Sequence, residues 1–292
     1  MSQSPSEGPG QAHPCDGAWR PLDPFIRTGA DPWSSCAEGF TGFTVSWSTI
    51  TADPERWEQY DDARESTGGA LRIDLAEGTG RMALEAALEY QPELIRVPAP
   101  SFPIDDDGLH AIARLDAAAT RAETALTLSA PIRSAAADLQ VLIAAAISSQ
   151  AVVAFGLDGF GEEALESLGT LEGLAVFCPG LEFASAYRLG ATAFDGTFGL
   201  LGPVACSEAL GLAEDNPGEA RQLERRLQRF IDGPFERATR ALPPDERAVA
   251  LAGTFAFFEE EGGDPPVAFA EMDWLELRAA IDEQGLFPPD LT

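Results

Sequence analysis

The chain has 292 residues, enough for one large domain, and 45% of them are hydrophobic, which indicates a globular protein with a sizeable core. It carries 48 acidic residues against 19 basic ones, for a formal net charge of −29, and every basic residue is an arginine. Because so acidic a surface repels nucleic acid and anionic lipid, DNA, RNA and membranes are not expected partners.

Residues 1–18 are predicted to form a flexible N-terminal tail, because they are rich in Ser, Pro and Gly and lack the basic and apolar pattern of a signal peptide. No apolar run is long enough to span a bilayer, so we expect a cytoplasmic protein. The four cysteines form no CxxC pair and only two histidines occur, which predicts neither a metal site nor a histidine-based triad.

Short apolar runs alternate with amphipathic helical stretches along the chain. We expect eight strands from Phe40 onward, the last the least regular, among them residues 40–46, 70–75, 93–98, 125–129, 151–156, 174–178 and 193–197. The helices predicted between them cover residues 55–65, 80–90, 108–119, 136–148 and 162–168 and a stretch that runs through Tyr187. Residues 19–25, interrupted by two prolines, are a weaker additional strand candidate.

Strands that alternate with helices pair in parallel through right-handed crossovers. Eight such units would close a (β/α)8 TIM barrel over residues 19–210, and an open doubly wound sheet is the structural alternative. Helices at 219–236, 245–261 and 275–284 predict a C-terminal helical extension, residues 211–292, packed on the barrel. No GxGxxG follows the first strand and no Walker A pattern occurs, so no cofactor is expected.

Residues 189–203, LGATAFDGTFGLLGP, resemble the last barrel strand of the dihydrodipicolinate synthase / N-acetylneuraminate lyase family, with its Leu-Gly-Ala, Gly-rich strand and helix-opening Pro. Residues 217–235 and 265–287 are similar to later helices of that family. GFTVSWST, VPAPSF and LSAPIRSA stand where the family has Gly-Thr-Thr-Gly-Glu, Pro-Tyr-Tyr and Tyr-Asn-x-Pro-x-Arg-x-Gly. The resemblance spans residues 40–287 and implies an aldolase-type TIM barrel, lyase chemistry and a homo-oligomer, either a dimer or a tetramer.

The resemblance also implies a reaction through a Schiff-base lysine at the end of the sixth strand, and this chain contains no lysine. The matching position falls on Gly156 or a neighbour. The proton-relay tyrosine becomes Leu128, and the Tyr-Tyr pair becomes Ser101 and Phe102. An iminium requires a primary amine, and arginine cannot supply one because its guanidinium does not deprotonate. The Schiff-base route is therefore not expected.

Several candidate binding residues follow the predicted strands, where barrel enzymes build their active sites. The resemblance implies that Ser48 and Thr49 bind a substrate carboxylate and that Arg133 faces an acidic substrate. The alternatives are a capping role for the two hydroxyls, a surface position for Arg133 and core packing for Trp47. The candidate substrate-binding residues are Trp47, Ser48, Thr49, Ser101, Ser129 and Arg133.

Two aspartates are the candidate catalytic residues. Asp74 lies in an apolar strand, where it could act as an acid or base, or form a core ion pair with Arg72 or Arg96. Asp195 lies mid-strand, where either a functional acid or a structural partner is expected, whereas Asp158 in GLDGFG is interpreted as a turn residue. Inward carboxylates could support proton transfer without a covalent intermediate, and no spacing is diagnostic of metal ligands.

Two functions stay open at this point. The first is a divergent enzyme that binds a small carboxylate-bearing, keto-acid-like molecule and moves protons without a Schiff base. The second is a catalytically inactive relative that serves as a binding or regulatory subunit of an active paralogous barrel.

Overall fold

In the computed structural model of the protein, the described residues are 17–21, 40–52, 54, 57–67, 70–76, 81–99, 105–130, 136–157, 161–168, 174–195, 198–201, 203–242, 247, 250–251, 253–255 and 271–286. They form a mixed α/β fold of the TIM-barrel type, in which parallel strands alternate with helices.

The sheet of the described residues is a closed barrel in which each strand pairs in parallel with the next and β1 pairs with β8. Parallel neighbours need a crossover connection, which here is a helix wherever the connection is described. The strands are β1 (Gly17–Pro21), β2 (Phe40–Ser46), β3 (Ala70–Asp74), β4 (Leu94–Pro98), β5 (Ala125–Ala130), β6 (Val152–Leu157), β7 (Ala175–Pro179) and β8 (Ala193–Asp195).

The helices of the described residues follow the strands on the outside and continue beyond β8. They are α1 (Trp47–Ala52), α2 (Trp57–Thr67), α3 (Arg81–Leu88), α4 (Asp106–Arg121), α5 (Ala136–Ile147), α6 (Glu162–Leu168), α7 (Phe183–Arg188), α8 (Pro203–Asp215), α9 (Pro217–Phe230), α10 (Glu236–Thr239) and α11 (Glu271–Gln284). None of the helices in these ranges is both long and apolar enough to cross a membrane.

The expectation of eight strands from Phe40 onward is wrong by one strand. Seven of the strands in the described ranges lie from Phe40 onward, and the remaining one is β1. That strand overlaps the weaker candidate at 19–25 and begins at Gly17, two residues inside the segment predicted as a tail. Its short, proline-ended sequence GAWRP shows little period-two alternation, so the hydrophobic pattern alone underrates it.

Helix ends follow local chemistry. Asp105 accepts a hydrogen bond from the Gly108 backbone N–H at 2.8 Å and thereby caps α4. The helix predicted at 219–236 is three elements: α9, a π-helical turn at Ile231–Phe235, and α10. Pro234 lies inside that turn and lacks the N–H that a regular helix requires, which accounts for the irregularity.

The inside of the barrel is layered from apolar to charged. Leu94, Ala154, Phe177 and Ala193 form a small buried cluster, separate from the large core between strands and helices. Arg72 lies over the Phe177 ring, with its Cζ 4.9 Å from the ring centroid. The charged side chains therefore begin above an apolar floor, toward the C-terminal ends of the strands.

Candidate functional site

Five polar side chains from four strands meet inside the barrel and are called the charged cluster below. They are Arg72, Asp74, Arg96, Ser129 and Asp195. Asp74 and Asp195 are the last residues of β3 and β8, and Ser129 is the last but one of β5. The cluster therefore occupies the end of the barrel at which enzymes of this architecture carry their active sites.

Arg72 is almost fully buried and joins both aspartates. Its Nε donates to Asp74 Oδ1 at 2.7 Å, and its Nη2 donates to Asp74 Oδ2 at 3.2 Å and to Asp195 Oδ2 at 2.6 Å. Burial opposes the charged form, but the two carboxylates outweigh it, and the pKa of the Arg72 guanidinium lies above its ordinary value. Arg72 therefore remains charged, and the Asp74–Arg72 ion pair is one of the alternatives that the sequence allowed.

Arg96 turns its guanidinium toward β5 and β6. Its Nε and Nη2 donate to the Ser129 hydroxyl at 3.0 and 2.7 Å, and Nη2 approaches the Leu157 carbonyl oxygen at 3.4 Å. Its Nη1 lies 4.0 Å from Asp74 Oδ2 and 3.8 Å from Asp195 Oδ2, beyond hydrogen-bond length. The guanidinium is therefore oriented by a hydroxyl and lies 3.8–4.0 Å from these two carboxylates.

Gly156, at or next to the position that the resemblance matches to the family's lysine, faces this guanidinium. A Cβ placed on Gly156 would lie 3.2 Å from Arg96 Nε, 3.4 Å from Arg96 Cζ and 3.4 Å from Thr127 Cγ2. The absent side chain thus leaves space that the Arg96 guanidinium fills from β4, two strands away in the barrel. A permanent cation stands at this position without a nucleophilic amine.

Burial divides the charged cluster into two halves. Arg72 and Asp195, the closed half, have side chains only 2% and 3% exposed. Arg96 and Asp74 reach 17% and 29%, and together with the Ser129 hydroxyl that Arg96 contacts, which is itself buried, they form the open half. Solvent and small molecules can therefore contact Arg96 and Asp74, whereas the closed half lies beneath them.

The hydroxyls of Ser48 and Thr49 engage Ser46 at the end of β2. Ser46 Oγ is 2.9 Å from Ser48 Oγ and 2.8 Å from Thr49 Oγ1, and it accepts the Thr49 backbone N–H at 3.2 Å. The backbone bond makes Ser46 the cap of α1, and the Ser48 and Thr49 hydroxyls contact that capping side chain. Ser46 also pairs in register with Asp74, so the three hydroxyls follow the strand that neighbours the charged cluster.

Two positions differ from their expected surroundings. Trp47 begins a helix and packs against Tyr90, with ring centroids 5.9 Å apart, which agrees with core packing rather than with a pocket wall. Leu128, matched to the relay tyrosine, lies in the outer hydrophobic core, while its neighbour Ser129 faces the barrel interior. Side chains alternate along a strand, so a one-residue shift in an alignment exchanges the two faces.

Ser101, Arg133 and Asp158 lie outside the described residues. Sequence reasoning named Arg72 and Arg96 only as partners of Asp74 and missed them as members of a site. The available signal was a pair of arginines inside short apolar strands, ALRID and LIRVP, because a charged residue in a sheet covered by helices must find partners.

Cys178 lies one strand away from Asp195 and is buried in the outer core. Burial, and after it the negative charges of Asp195, Glu182 and Glu224, raise the pKa of its thiol to about 12. The thiol is therefore protonated at neutral pH and is not an activated nucleophile.

Several solved structures share this architecture with the chain over nearly its whole length. A dihydrodipicolinate synthase family protein from Coccidioides immitis has a TM-score of 0.63 at 16% identity, over 96% of this chain and 98% of its own. A catalytic lysine mutant of the Ruminococcus gnavus sialic acid aldolase gives 0.62 at 13%, over 94% and 97%. The dihydrodipicolinate synthase of Cyanidioschyzon merolae, solved with lysine bound, gives 0.64 at 14%, over 94% and 100%.

The chain shares their fold. At such low identity the likeness extends to the fold alone, and no protein-family model or curated protein sequence matches the chain.

The open half combines a guanidinium, a hydroxyl and a carboxylate on the rims of three adjacent strands. A guanidinium fork binds a carboxylate in two parallel hydrogen bonds, and an adjacent aspartate can exchange protons with a bound molecule. Within the described ranges, no three His, Cys, Asp or Glu side chains converge as metal ligands. The open half therefore presents guanidinium and hydroxyl hydrogen-bond donors beside a carboxylate.

Proposed function

We propose that the chain is a divergent member of the dihydrodipicolinate synthase / N-acetylneuraminate lyase family that binds a small carboxylic acid at the C-terminal end of its barrel. It acts on that acid by acid–base chemistry and without a Schiff base. The single observation that carries the proposal is Arg96, whose guanidinium fills the space beside Gly156.

The binding step rests on the geometry of Arg96. Its Nε and Nη2 point to the Ser129 hydroxyl, and the side chain is partly exposed, so a ligand carboxylate can take a hydrogen bond from the guanidinium and another from that hydroxyl. Ser48 and Thr49, together with the predicted residues Ser101 and Arg133, complete the proposed binding set.

The proton-transfer step rests on Asp74. Its Oδ2 lies 4.0 Å from Arg96 Nη1 and its side chain is 29% exposed, so a molecule held by Arg96 would lie within reach of its carboxylate. Asp195 is buried behind Arg72 and contributes by holding that arginine in place. Proton transfer by Asp74, without a covalent amine, would be sufficient for dehydration, hydration, isomerisation or cyclisation.

We also propose a domain organisation and an assembly state for the protein. Residues 19–210, with β1 reaching back to Gly17, form the barrel, and 211–292 form a helical extension packed on it. The contacts of α9 with α7, α8 and α11 support the packing of the C-terminal helices on one another and on the last barrel helix, and the boundary at 210 falls within α8. The proposed protein is cytoplasmic and assembles as a dimer or a tetramer. Light scattering of the purified chain tests the oligomeric state.

Isothermal titration calorimetry with pyruvate, lactate and alanine tests the binding proposal. At least one of these acids saturates the wild-type protein, Arg96→Ala loses that binding, and Arg96→Lys weakens it because a lysine lacks the fork. Arg81→Gln is the matched control, since Arg81 is 63% exposed and pairs with Glu85 on its own helix. Binding that Arg96→Ala leaves unchanged, or no binding of any small acid to the wild type, overturns the proposal.

The second candidate is an inactive relative that regulates an active paralogous barrel. It is favoured by the lysine-free sequence, which lacks the residue named as catalytic in the similar Ruminococcus gnavus aldolase. Co-purification with a lysine-bearing barrel supports this candidate, and turnover of a small acid by the isolated chain rules it out.

A further inference from the structure

We infer that the outer face of α5 is a self-association surface, which packs against the same face of a second copy of this chain about a two-fold axis that runs along α5. This inference rests on the homo-oligomer of the proposed function and names the surface that joins its copies. The surface, called the α5 face below, consists of the exposed residues Gln140, Val141, Ala144, Ile147 and Ser148.

The α5 face lacks charge in a chain that is rich in it. Charged residues make up 23% of the sequence, but residues 139–157 contain none. Val141 and Ile147 are nevertheless 36% and 66% exposed, and Ala144 between them is small enough to let another helix approach closely. Neighbouring apolar side chains on a charge-free helix face indicate contact with a partner rather than with water.

The net charge of −29 restricts which surfaces of two copies can meet. In a two-fold contact each surface patch faces its own counterpart, so any charge on it is brought close to a like charge. Two strongly acidic molecules already repel each other at long range, and acidic patches in contact would add a local repulsion. The charge-free α5 face avoids that local repulsion, which favours a second copy of the chain as its occupant.

The α5 face alone is too small to hold two copies together. The helix has 12 residues and is therefore about 18 Å long. A stable interface buries about 800 Å² on each partner, which is more than one helix face offers. The contact must extend onto the two helices that pack on α5, which are α4 on one side and α6 on the other.

These two flanking helices carry opposite charges. Beyond its first turn, the exposed charged side chains of α4 are Arg114 and Arg121. On α6, Glu163 and Glu166 are exposed. None of these four side chains takes part in an ion pair within the part of the chain that the structure describes. The flanks therefore offer a basic side and an acidic side, with the α5 face between them.

The charges on the flanks select the direction of the two-fold axis. An axis along α5 places α4 of each copy opposite α6 of the other, so Arg114 meets Glu166 twice, each residue near the middle of its helix. An axis across α5 would instead place α4 opposite α4 and α6 opposite α6, which brings like charges together. The apolar α5 face supplies affinity, and the flanking charges set the orientation.

Size-exclusion chromatography with light scattering of the purified full chain tests the α5 face. Ile147→Glu puts a carboxylate on the exposed apolar face, so the assembled mass should halve or the dissociation constant should rise at least about tenfold. Leu275→Glu is the matched control, because Leu275 is a 53% exposed apolar residue on α11. This control variant should assemble as the wild type does.

A charge exchange between α4 and α6 tests the direction of the axis. Arg114→Glu and Glu166→Arg should each weaken association, because each brings like charges together across the interface. The double variant restores opposite charges and should recover the wild-type mass. That recovery also shows that the single variants fold. With an axis across α5, the double variant would remain as weak as Glu166→Arg or weaker.

The outcomes separate the inference from the proposed function. An oligomer that Ile147→Glu leaves intact, or a double variant that does not recover, overturns the inference and leaves the proposed homo-oligomer standing. A wild-type monomer removes both. Calorimetry with small acids on the same preparations tests the proposed ligand site separately, because the charged cluster lies inside the barrel and the α5 face lies outside it.

Discussion

The closed and open halves of the charged cluster use the same residue types to different ends. In the closed half, Arg72 and Asp195 meet at 2.6 Å with almost no solvent contact. In the open half, Arg96 and Asp74 stay 4.0 Å apart and partly exposed. A buried pair is costly to break, whereas a loose and solvated pair can exchange one partner for a ligand.

This difference teaches that burial, more than residue type, separates a structural ion pair from a binding group. Arg72 spans the barrel from β3 to Asp195 on β8 and rests on Phe177, so it ties opposite walls together. Arg96 donates to the Ser129 hydroxyl of the adjacent strand, and its side chain is partly exposed. Variants that act on one half should therefore leave the property of the other largely intact.

The largest expected effect comes from breaking the closed half. Asp195→Ala leaves the Arg72 guanidinium buried with one carboxylate fewer, and we expect the free energy of unfolding to fall by about 3–5 kcal/mol in chemical denaturation. The double variant Arg72→Met with Asp195→Leu removes both charges and should recover most of that loss.

Glu236→Gln is the control for this stability prediction, because its pair with Arg247 is half exposed and should contribute about 0–1 kcal/mol. A loss below about 1 kcal/mol for Asp195→Ala would mean that the closed half does not stabilise the barrel.

The next effect tests the open half. Arg96→Lys keeps the positive charge but replaces a rigid fork by a single point donor, so small-acid binding should weaken by about tenfold while the free energy of unfolding changes little. Calorimetry and denaturation on the same preparation measure both quantities. A stability loss as large as that of Asp195→Ala would erase the distinction between the halves.

A smaller effect is expected from filling the space beside Arg96. Gly156→Ala puts a Cβ 3.2 Å from Arg96 Nε and should shift the guanidinium, weakening small-acid binding by about threefold. Gly211→Ala is the matched control, since a Cβ at Gly211 meets nothing within 4 Å and lies in a helix. Unchanged binding in Gly156→Ala would show that ligand affinity does not depend on the position of the Arg96 guanidinium.

The smallest effect concerns Cys178, which is buried close to the closed half. Its pKa is raised from 9.0 to about 12 in the folded protein, so its stabilising contribution is complete below pH 9 and is lost as pH rises through about 12. Near pH 9.5 the loss relative to neutral pH should be on the order of 1 kcal/mol. Cys178→Ala should lack this part of the alkaline decline in denaturation midpoints, and an identical decline in both proteins would contradict it.

Much of the fold follows from the hydrophobic pattern. The runs at β2 through β7 are short, apolar and separated by helical stretches, and their predicted bounds agree with the structure to within a residue or two. The strand β1 could not be ranked in the same way, because a proline ends it and few apolar residues mark it. Barrel closure is a long-range pairing between β1 and β8 that no local pattern encodes.

The site is harder to derive for a geometric reason. Both faces of a barrel strand are buried, one by the helices and one by the interior, so alternation alone does not say which face is inside. For this reason the resemblance matches Leu128 to the relay tyrosine, although the Leu128 side chain faces the helices. Asp74 and Asp195 stood out as charges in apolar strands, but their link through Arg72 depends on closure of the sheet.

The most direct test of the account is a crystal structure of the protein soaked with whichever of alanine and pyruvate binds more tightly. We predict a carboxylate within hydrogen-bond distance of Arg96 and an intact Arg72–Asp195 pair beneath it. A ligand that lies away from Arg96, or that opens the Arg72–Asp195 pair, would contradict it.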